Sequence, residues 1–292
     1  MENNYIQFRR ERDFGEVFNA TFYFIKQEYK RLGMAVVYYI LPFALVSAVA
    51  AVIYQSKAVG FQLNNSDPNE TISALKDLYW NLGKLMFVYS FSHAAILSTI
   101  YGYIRLYVEK GPEGFTATDV WSEFRKLYFP FYFSLLLGGL IIGIGSVMCL
   151  FPGIYLAVSL CLLFAAMAFE KQGFGNAFSR TFQLTHLQWW WTLLVIFVLY
   201  ILVMIFNTIL SIPSLAFNMT TGFHRLNNEE PVSTGNLRNI MMLYSGIITT
   251  ITTILYLIPQ VALAFQYFSL VEKKEKPTLM DKINEIGKET TI

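Results

Sequence analysis

Charge is what this chain has least of, and the gaps between its charges are long. From Leu127 to Phe169, 43 residues pass without an ionisable acid or base, and the run is interrupted only near Cys149-Leu150-Phe151-Pro152-Gly153. As one helix it would extend roughly 65 Å at about 1.5 Å per residue, twice the roughly 30 Å of bilayer hydrocarbon, so it folds back as a transmembrane hairpin. Only 14% of all residues are charged. Soluble domains carry about a quarter, which makes a soluble core protein a weak competitor.

Other absences narrow the function. Cys149 and Cys161 are the only cysteines, and their twelve-residue separation fits no metal or redox motif, so they read as packing residues. The sequence contains no GxxxxGK[ST] phosphate loop, no HExxH, no GxSxG elbow and no His pair at metal spacing. It therefore reads as a chain without catalytic residues, metal ligands or cofactors, and not as an enzyme. A net charge of +2 leaves no footprint for nucleic acid.

What is there is apolar and helical. Met34 to Ser56, Leu85 to Ile104, Thr181 to His224 and Asn239 to Val271 also lack Asp, Glu, Lys and Arg. In lipid such stretches pair their backbone amides internally as helices. With the hairpin counted twice, the expectation is an all-α polytopic protein, a single integral membrane domain over 1–292 with six spans. These fall at about 34–56, 82–106, 128–149, 152–170, 189–212 and 240–270, followed by a cytoplasmic tail over 272–292. Seventeen of the Lys and Arg residues fall on the side of the termini and five on the other. Because basic residues in short loops stay inside, both termini are expected in the cytoplasm of an inner (plasma) membrane protein.

The segment Phe14 to Phe22, FGEVFNATF, aligns without gaps on Phe174 to Phe182, FGNAFSRTF, at an offset of 160. A weaker copy, Thr118 to Phe124, places Asp119-Val120-Trp121 on Glu16-Val17-Phe18. Each copy precedes a span and carries apolar residues at helical spacing, so each predicts an amphipathic helix at the interface, over 13–33, 116–127 and 173–187. The simplest architecture is three units of interfacial helix plus transmembrane pair. Trp189-Trp190-Trp191, opening span five, reads as an interfacial aromatic belt.

Candidate functional residues are polar groups within or at the edge of these spans. Ser245, Thr249, Thr252, Tyr256, Gln260 and Tyr267 share one face of span six at 100° per residue, a stripe that either lines a hydrated path or bonds neighbouring helices. Pro259 lies on it and is expected to kink the helix near Leu255. His93 is the one ionisable group near the middle of a span, either a helix-bonding group or a proton relay. Glu170 ends span four, and a turn at Gly173 would let it reach Arg180 as an interfacial salt bridge. Gly139 and Gly143 allow close helix approach, with span four of the hairpin as the expected partner. The outer-loop acids Asp67, Glu70, Asp77, Glu229 and Glu230, with His224, read as solvated groups.

The run Phe151 to Leu194 resembles the membrane domain of some bacterial glycerophosphodiester phosphodiesterases. It also resembles related polytopic families that share a Pro-Gly at a hairpin, a Glu closing the next span and a Gly-x-x-x-Ala-x-x-Arg helix after it. Here those residues are Pro152, Gly153, Glu170, Gly173, Ala177 and Arg180. The enzymes' soluble catalytic barrel has no counterpart in this chain, so phosphodiesterase activity is not implied. The resemblance implies a bacterial inner-membrane accessory protein of undefined biochemical role; the repeated amphipathic helices, the basic cytoplasmic face and the missing catalytic set point to a scaffold subunit whose partners are membrane lipids and other proteins of a complex. The alternative reading is a transporter or lipid-handling protein that uses the span-six stripe.

Overall fold

The computed structural model describes residues 5–58, 68–186, 188–226, 235–276 and 280. Among them there is no strand. The helices are α1 (Phe14–Gln27), α2 (Tyr29–Ala35), α3 (Leu41–Ala58), α4 (Pro68–Lys110), α5 (Ala117–Met148), α6 (Leu150–Leu160) and α7 (Leu163–Phe169). They continue with α8 (Phe174–Thr185), α9 (Trp189–Leu226), α10 (Gly235–Leu255) and α11 (Leu257–Glu275). Six stretches are long and apolar enough to cross a membrane: Tyr29–Tyr54, Leu75–Lys110, Ala117–Met148, Leu150–Phe169, Trp189–Thr220 and Asn239–Glu275. The fold is all-α and polytopic. The loop acids Asp67, Glu229 and Glu230 and most of the tail after Lys276 lie outside the described residues.

Prolines explain two irregular spans. A proline has no N–H and its ring crowds the carbonyl four residues back. Pro42 follows a π-helical turn, Val36–Ile40, that joins α2 to α3. Pro259 stands four residues after Leu255, where α10 ends, and Tyr256 forms the turn before α11. Span six is therefore two helices, whereas Pro130 and Pro213 are accommodated inside α5 and α9.

The sequence reads as one membrane domain; the contacts divide the chain into two compact units. The first takes in the chain up to Val36, Ala94–Tyr200 and everything from Leu257, and the second takes in Val37–His93 and Ile201–Tyr256. In the first unit the interior is built from the ends of spans two, four and six. Ala94 to Ile104 and Pro259 to Leu270 are buried without interruption, as are Ala165 to Ala168 of α7. Buried on all sides, these stretches read as continuous small and apolar runs rather than as amphipathic stripes. Aromatic edges tie them together: Tyr101 of α4 meets Phe169 at 5.9 Å between centroids, and Phe169 meets Phe268 of α11 at 4.5 Å. In the second unit α3 packs along α10, with the Gly246 position open enough to admit Val52.

Three amphipathic segments of the first unit match in register. Their N-caps are Asp13, Thr116 and Gly173. Counting from each cap, the buried positions coincide: Val17, Val120 and Ala177; Thr21, Phe124 and Thr181; Phe24, Leu127 and Leu184. This is the i, i+4, i+7 spacing of one helical face. In α1 and α8 the partly exposed shoulder repeats as well, Phe18 and Phe22 standing 4.9 Å apart and Phe178 and Phe182 likewise 4.9 Å. The middle segment is not a separate helix, because α5 runs from Ala117 through Met148 without a break. Nothing in that sequence stops it: no glycine precedes Gly138, and Pro130 is tolerated.

Candidate functional site

The first unit carries its charges at the ends of the even-numbered spans. Spans two, four and six close on Val108-Glu109-Lys110, Phe169-Glu170-Lys171 and Val271-Glu272-Lys273, a recurrence legible in the sequence. Within four residues of each glutamate the chain takes a left-handed residue: Gly111 (φ 77°), Lys171 (φ 54°) and Lys276 (φ 49°), the only positive φ values among the described residues. A left-handed residue is the ordinary way to end a helix and release its last carbonyls.

Glu170 and Arg180 meet. The turn from Lys171 to the α8 cap at Gly173 brings Arg180 Nε to 2.7 Å from Glu170 Oε1, with both side chains largely buried. Sequence reasoning missed the rest of this cluster. Tyr267 donates its hydroxyl to the same Glu170 oxygen, and Arg180 Nη1 pairs with Glu275. Hydrogen bonding to Glu275 first, and to Glu170 as well, holds the Arg180 pKa above its ordinary value. Alongside, Arg105 bridges Glu109 at 3.3 Å and Glu123 at 3.1 Å, Lys126 reaches Glu123 at 2.8 Å, and Lys171 reaches Glu109 at 3.1 Å. Glu28, buried between α1 and α2, accepts from the Tyr103 hydroxyl at 2.7 Å. Glu123 and Arg180 occupy the register position of Ala20, so the face that is uncharged in α1 carries a charge in the other two segments. Charges at a buried helical position were the available signal.

The N-terminal arm was also missed. Phe8, only 3% exposed, stacks on Phe265 at 4.3 Å and presents to the rings of Phe24, Tyr107 and Phe268 at 5.1, 5.6 and 5.7 Å. Arg12 lies 4.9 Å from the Phe265 ring centroid. Burial, then the neighbouring Arg10, lowers its pKa to about 10, so it remains a cation at neutral pH.

The span-six stripe does not survive as one surface. The turn at Tyr256 leaves Ser245, Thr249, Thr252 and Tyr256 in the second unit and Gln260 and Tyr267 in the first. Gln260 Oε1 accepts from Tyr101 at 3.3 Å. Thr249 returns its hydroxyl to the Ser245 carbonyl at 2.8 Å, Ser245 bonds the Met242 carbonyl at 2.8 Å, and Thr252 crosses to Asn207 at 3.0 Å. Tyr244, off the stripe, donates to the Leu210 carbonyl at 2.8 Å. His93 faces the ring of Tyr256 edge-on at 6.2 Å, next to Ser92, whose hydroxyl meets Ser47 and the Phe43 carbonyl. The bonds of Gln260, Thr252, Tyr244 and Ser92 tie helices to one another, whereas those of Thr249 and Ser245 stay within α10.

Gly139 and Gly143 do not mediate the hairpin. Nothing lies within 4 Å of a Cβ built on either, and both are exposed. The close approach is made nearer the turn, by Gly145 and Gly153: a Cβ on Gly145 would stand 3.6 Å from the Gly153 Cα. The hairpin turns at Cys149, so its tightest point lies near the turn, beyond the GxxxG pair.

Among the described residues no three of His, Cys, Asp and Glu gather as metal ligands would. No family model, no curated protein and no solved structure matches this chain.

Proposed function

We propose that this chain is a non-catalytic, multi-pass inner-membrane protein, an accessory or scaffold subunit that holds protein partners, with both termini in the cytoplasm. The observation that carries the reading is how the ionisable groups of the first unit are used. Glu28, Glu109, Glu123, Glu170 and Glu275 each sit against a cation or a phenol of a neighbouring element. Groups committed to ion pairs between elements fix those elements in place. The same helices expose Phe22, Tyr23, Tyr29 and Trp121 beside Lys26, Lys30 and Arg125, a mixed aromatic and basic margin suited to a lipid interface and to partners.

The matching caps and buried positions support three repeats of common origin. Kinship with the membrane domain of bacterial glycerophosphodiester phosphodiesterases is proposed on the sequence pattern alone; of the residues that carry it, Gly153 sits at the hairpin contact, Glu170 pairs with Arg180, Gly173 is a helix cap and Ala177 is fully buried.

The test is purification of the tagged full chain from its own cells in mild detergent. Stoichiometric partners that survive a salt wash are expected; repeated recovery of this chain alone overturns the scaffold reading. A transporter reading makes the opposite demand on span six. Replacing Thr249 and Thr252 with Val and Gln260 with Leu is expected to leave the cellular phenotype intact, and its loss would favour transport.

A further inference from the structure

The three segments of the first unit are joined in two different ways. α4 runs into α5 through residues 111–116, and α7 into α8 through residues 170–173, so two junctions are covalent. The third junction, where α11 packs on α1, has no connecting peptide. The arm before α1 fills it instead. It has no helix or strand of its own between Tyr5 and Arg12. What holds it is a short set of contacts. Phe8 enters a box of Phe24, Tyr107, Phe265 and Phe268. Arg12 sits on the Phe265 ring and curls the arm by donating to the carbonyls of Gln7, Phe8 and Arg10. Ser269 reads the backbone in both directions, its Oγ accepting from the Arg12 N–H at 2.9 Å and donating to the Arg12 carbonyl at 3.0 Å.

A buried aromatic anchor, a cation on a ring and paired backbone bonds are the contacts by which proteins grip extended peptides. None of them depends on the arm being covalently joined to α1. We propose that the junction of α1, α4 and α11 is a recognition site for partner segments that carry an aromatic residue followed four positions later by an arginine, and that the chain's own arm occupies it in cis. The inference rests on the scaffold reading and names the place where a partner docks. The occupant is fixed by the chemistry of the seat: a box closed by four rings admits one planar side chain, and the cation is received by a ring rather than by a carboxylate.

The cis arm sets the threshold for entry. A tethered segment acts at an effective concentration of about 1 mM, so a free peptide with an intrinsic Kd of about 10 µM would be held back about 100-fold.

The probe is a fluorescent peptide with the sequence of Tyr5 to Asp13, titrated into the full chain in a neutral detergent, with a scrambled peptide as control. Full-length Phe8→Ala and Arg12→Ala variants, which weaken the resident arm, are expected to bind the probe at least 10-fold more tightly than the parent. Probes carrying either substitution should not bind, and Ser269→Ala in the Phe8→Ala background should remove the gain. A chain lacking residues 2–12 provides the second measurement, and about 100-fold tighter binding than the parent is expected. Variants that stay helical and monodisperse yet show no saturable, sequence-dependent binding overturn the site. The two readings fail separately. Peptide binding with no partner in the purification sinks the scaffold reading alone, and stoichiometric partners with no peptide binding sink this site alone.

Discussion

Gly153 stands so close to Ser146 across the α5–α6 hairpin that a Cβ on it would fall 2.8 Å from the Ser146 Cα, and the contact is with backbone that cannot swing away. Gly153→Ala is therefore expected to destabilise by about 2–3 kcal/mol, the usual cost of overpacking a tight site. Gly145→Ala presses on the movable end of Leu156, at 2.7 Å, and meets the Gly153 backbone only at an ordinary 3.6 Å, so it should cost about 1 kcal/mol. Gly139→Ala and Gly143→Ala meet nothing and remove two flexible residues from a helix, so they should be neutral or gain up to about 1 kcal/mol each. Thermal unfolding of the four variants in one detergent decides the order. A large loss at Gly139 or Gly143 would mean that the exposed face is packed after all.

The Arg180 cluster predicts unequal partners. Arg180 and Glu170 have side chains 16% and 21% exposed, whereas Glu275 is 42% exposed. Removing Arg180 leaves Glu170 with its Tyr267 bond but no countercharge, an expected loss of about 2–3 kcal/mol. The coupling measured in a double-mutant cycle should exceed 1 kcal/mol for Arg180 with Glu170 and fall below about 0.5 kcal/mol for Arg180 with Glu275, where solvent screens the pair. Arg180→Lys should recover little, because one ammonium cannot hold both carboxylates in the guanidinium's fork. Equal couplings would show that burial does not set the strength here.

These two cases also show what the sequence could and could not convey. The uncharged runs between Leu127 and Phe169 and in the other spans determine an all-α, six-span fold because only long helices satisfy a backbone in lipid. Glu170 and Arg180 were legible as a pair because ten residues and one turn bring them together. Glu275, 95 positions from Arg180, and Phe8, more than 250 from Phe265, were not, since neither has a local pattern to announce its partner. The stripe on span six was a correct angular reading of a continuous helix, but Pro259 makes two helices of it. Helical periodicity gives the face of a residue and leaves open what that face meets, which is why Gly139 and Gly143 were assigned to the wrong contact.

Lys171 sets two small effects against each other. Its left-handed φ of 54° costs a non-glycine residue roughly 1 kcal/mol. Its ion pair with Glu109 joins side chains 58% and 43% exposed, and such pairs contribute about 0–0.5 kcal/mol. The strain is larger, so Lys171→Gly should raise stability by about 0.5–1 kcal/mol even though it deletes a salt bridge. Gly111 is the converse: with φ at 77° and open space around it, Gly111→Ala should cost about 1 kcal/mol for conformational reasons alone. A loss on Lys171→Gly that shrinks in high salt would show that the ion pair dominates.

The helix caps of the matched segments make the last comparison, because the three differ in one respect. Asp13 caps α1, its side chain accepting from the Glu16 N–H at 2.8 Å while Glu16 returns to the Asp13 N–H at 3.2 Å. At α5 the Thr116 N–H and hydroxyl both donate to Asp119 Oδ2, at 2.9 and 2.8 Å. Gly173 holds the cap position of α8 in extended backbone, with no side chain to bond the first-turn amides. Asp13→Ala and Thr116→Ala should each destabilise by about 1 kcal/mol. Gly173→Ser supplies the missing acceptor in a conformation any residue adopts, in open space, and should stabilise by a few tenths of a kcal/mol. The gain should appear as slower amide exchange at Asn176 and Ala177 in the first turn of α8. Unchanged exchange there would mean that α8 is held in place by packing through Ala177, Thr181 and Leu184, and that its cap contributes nothing measurable.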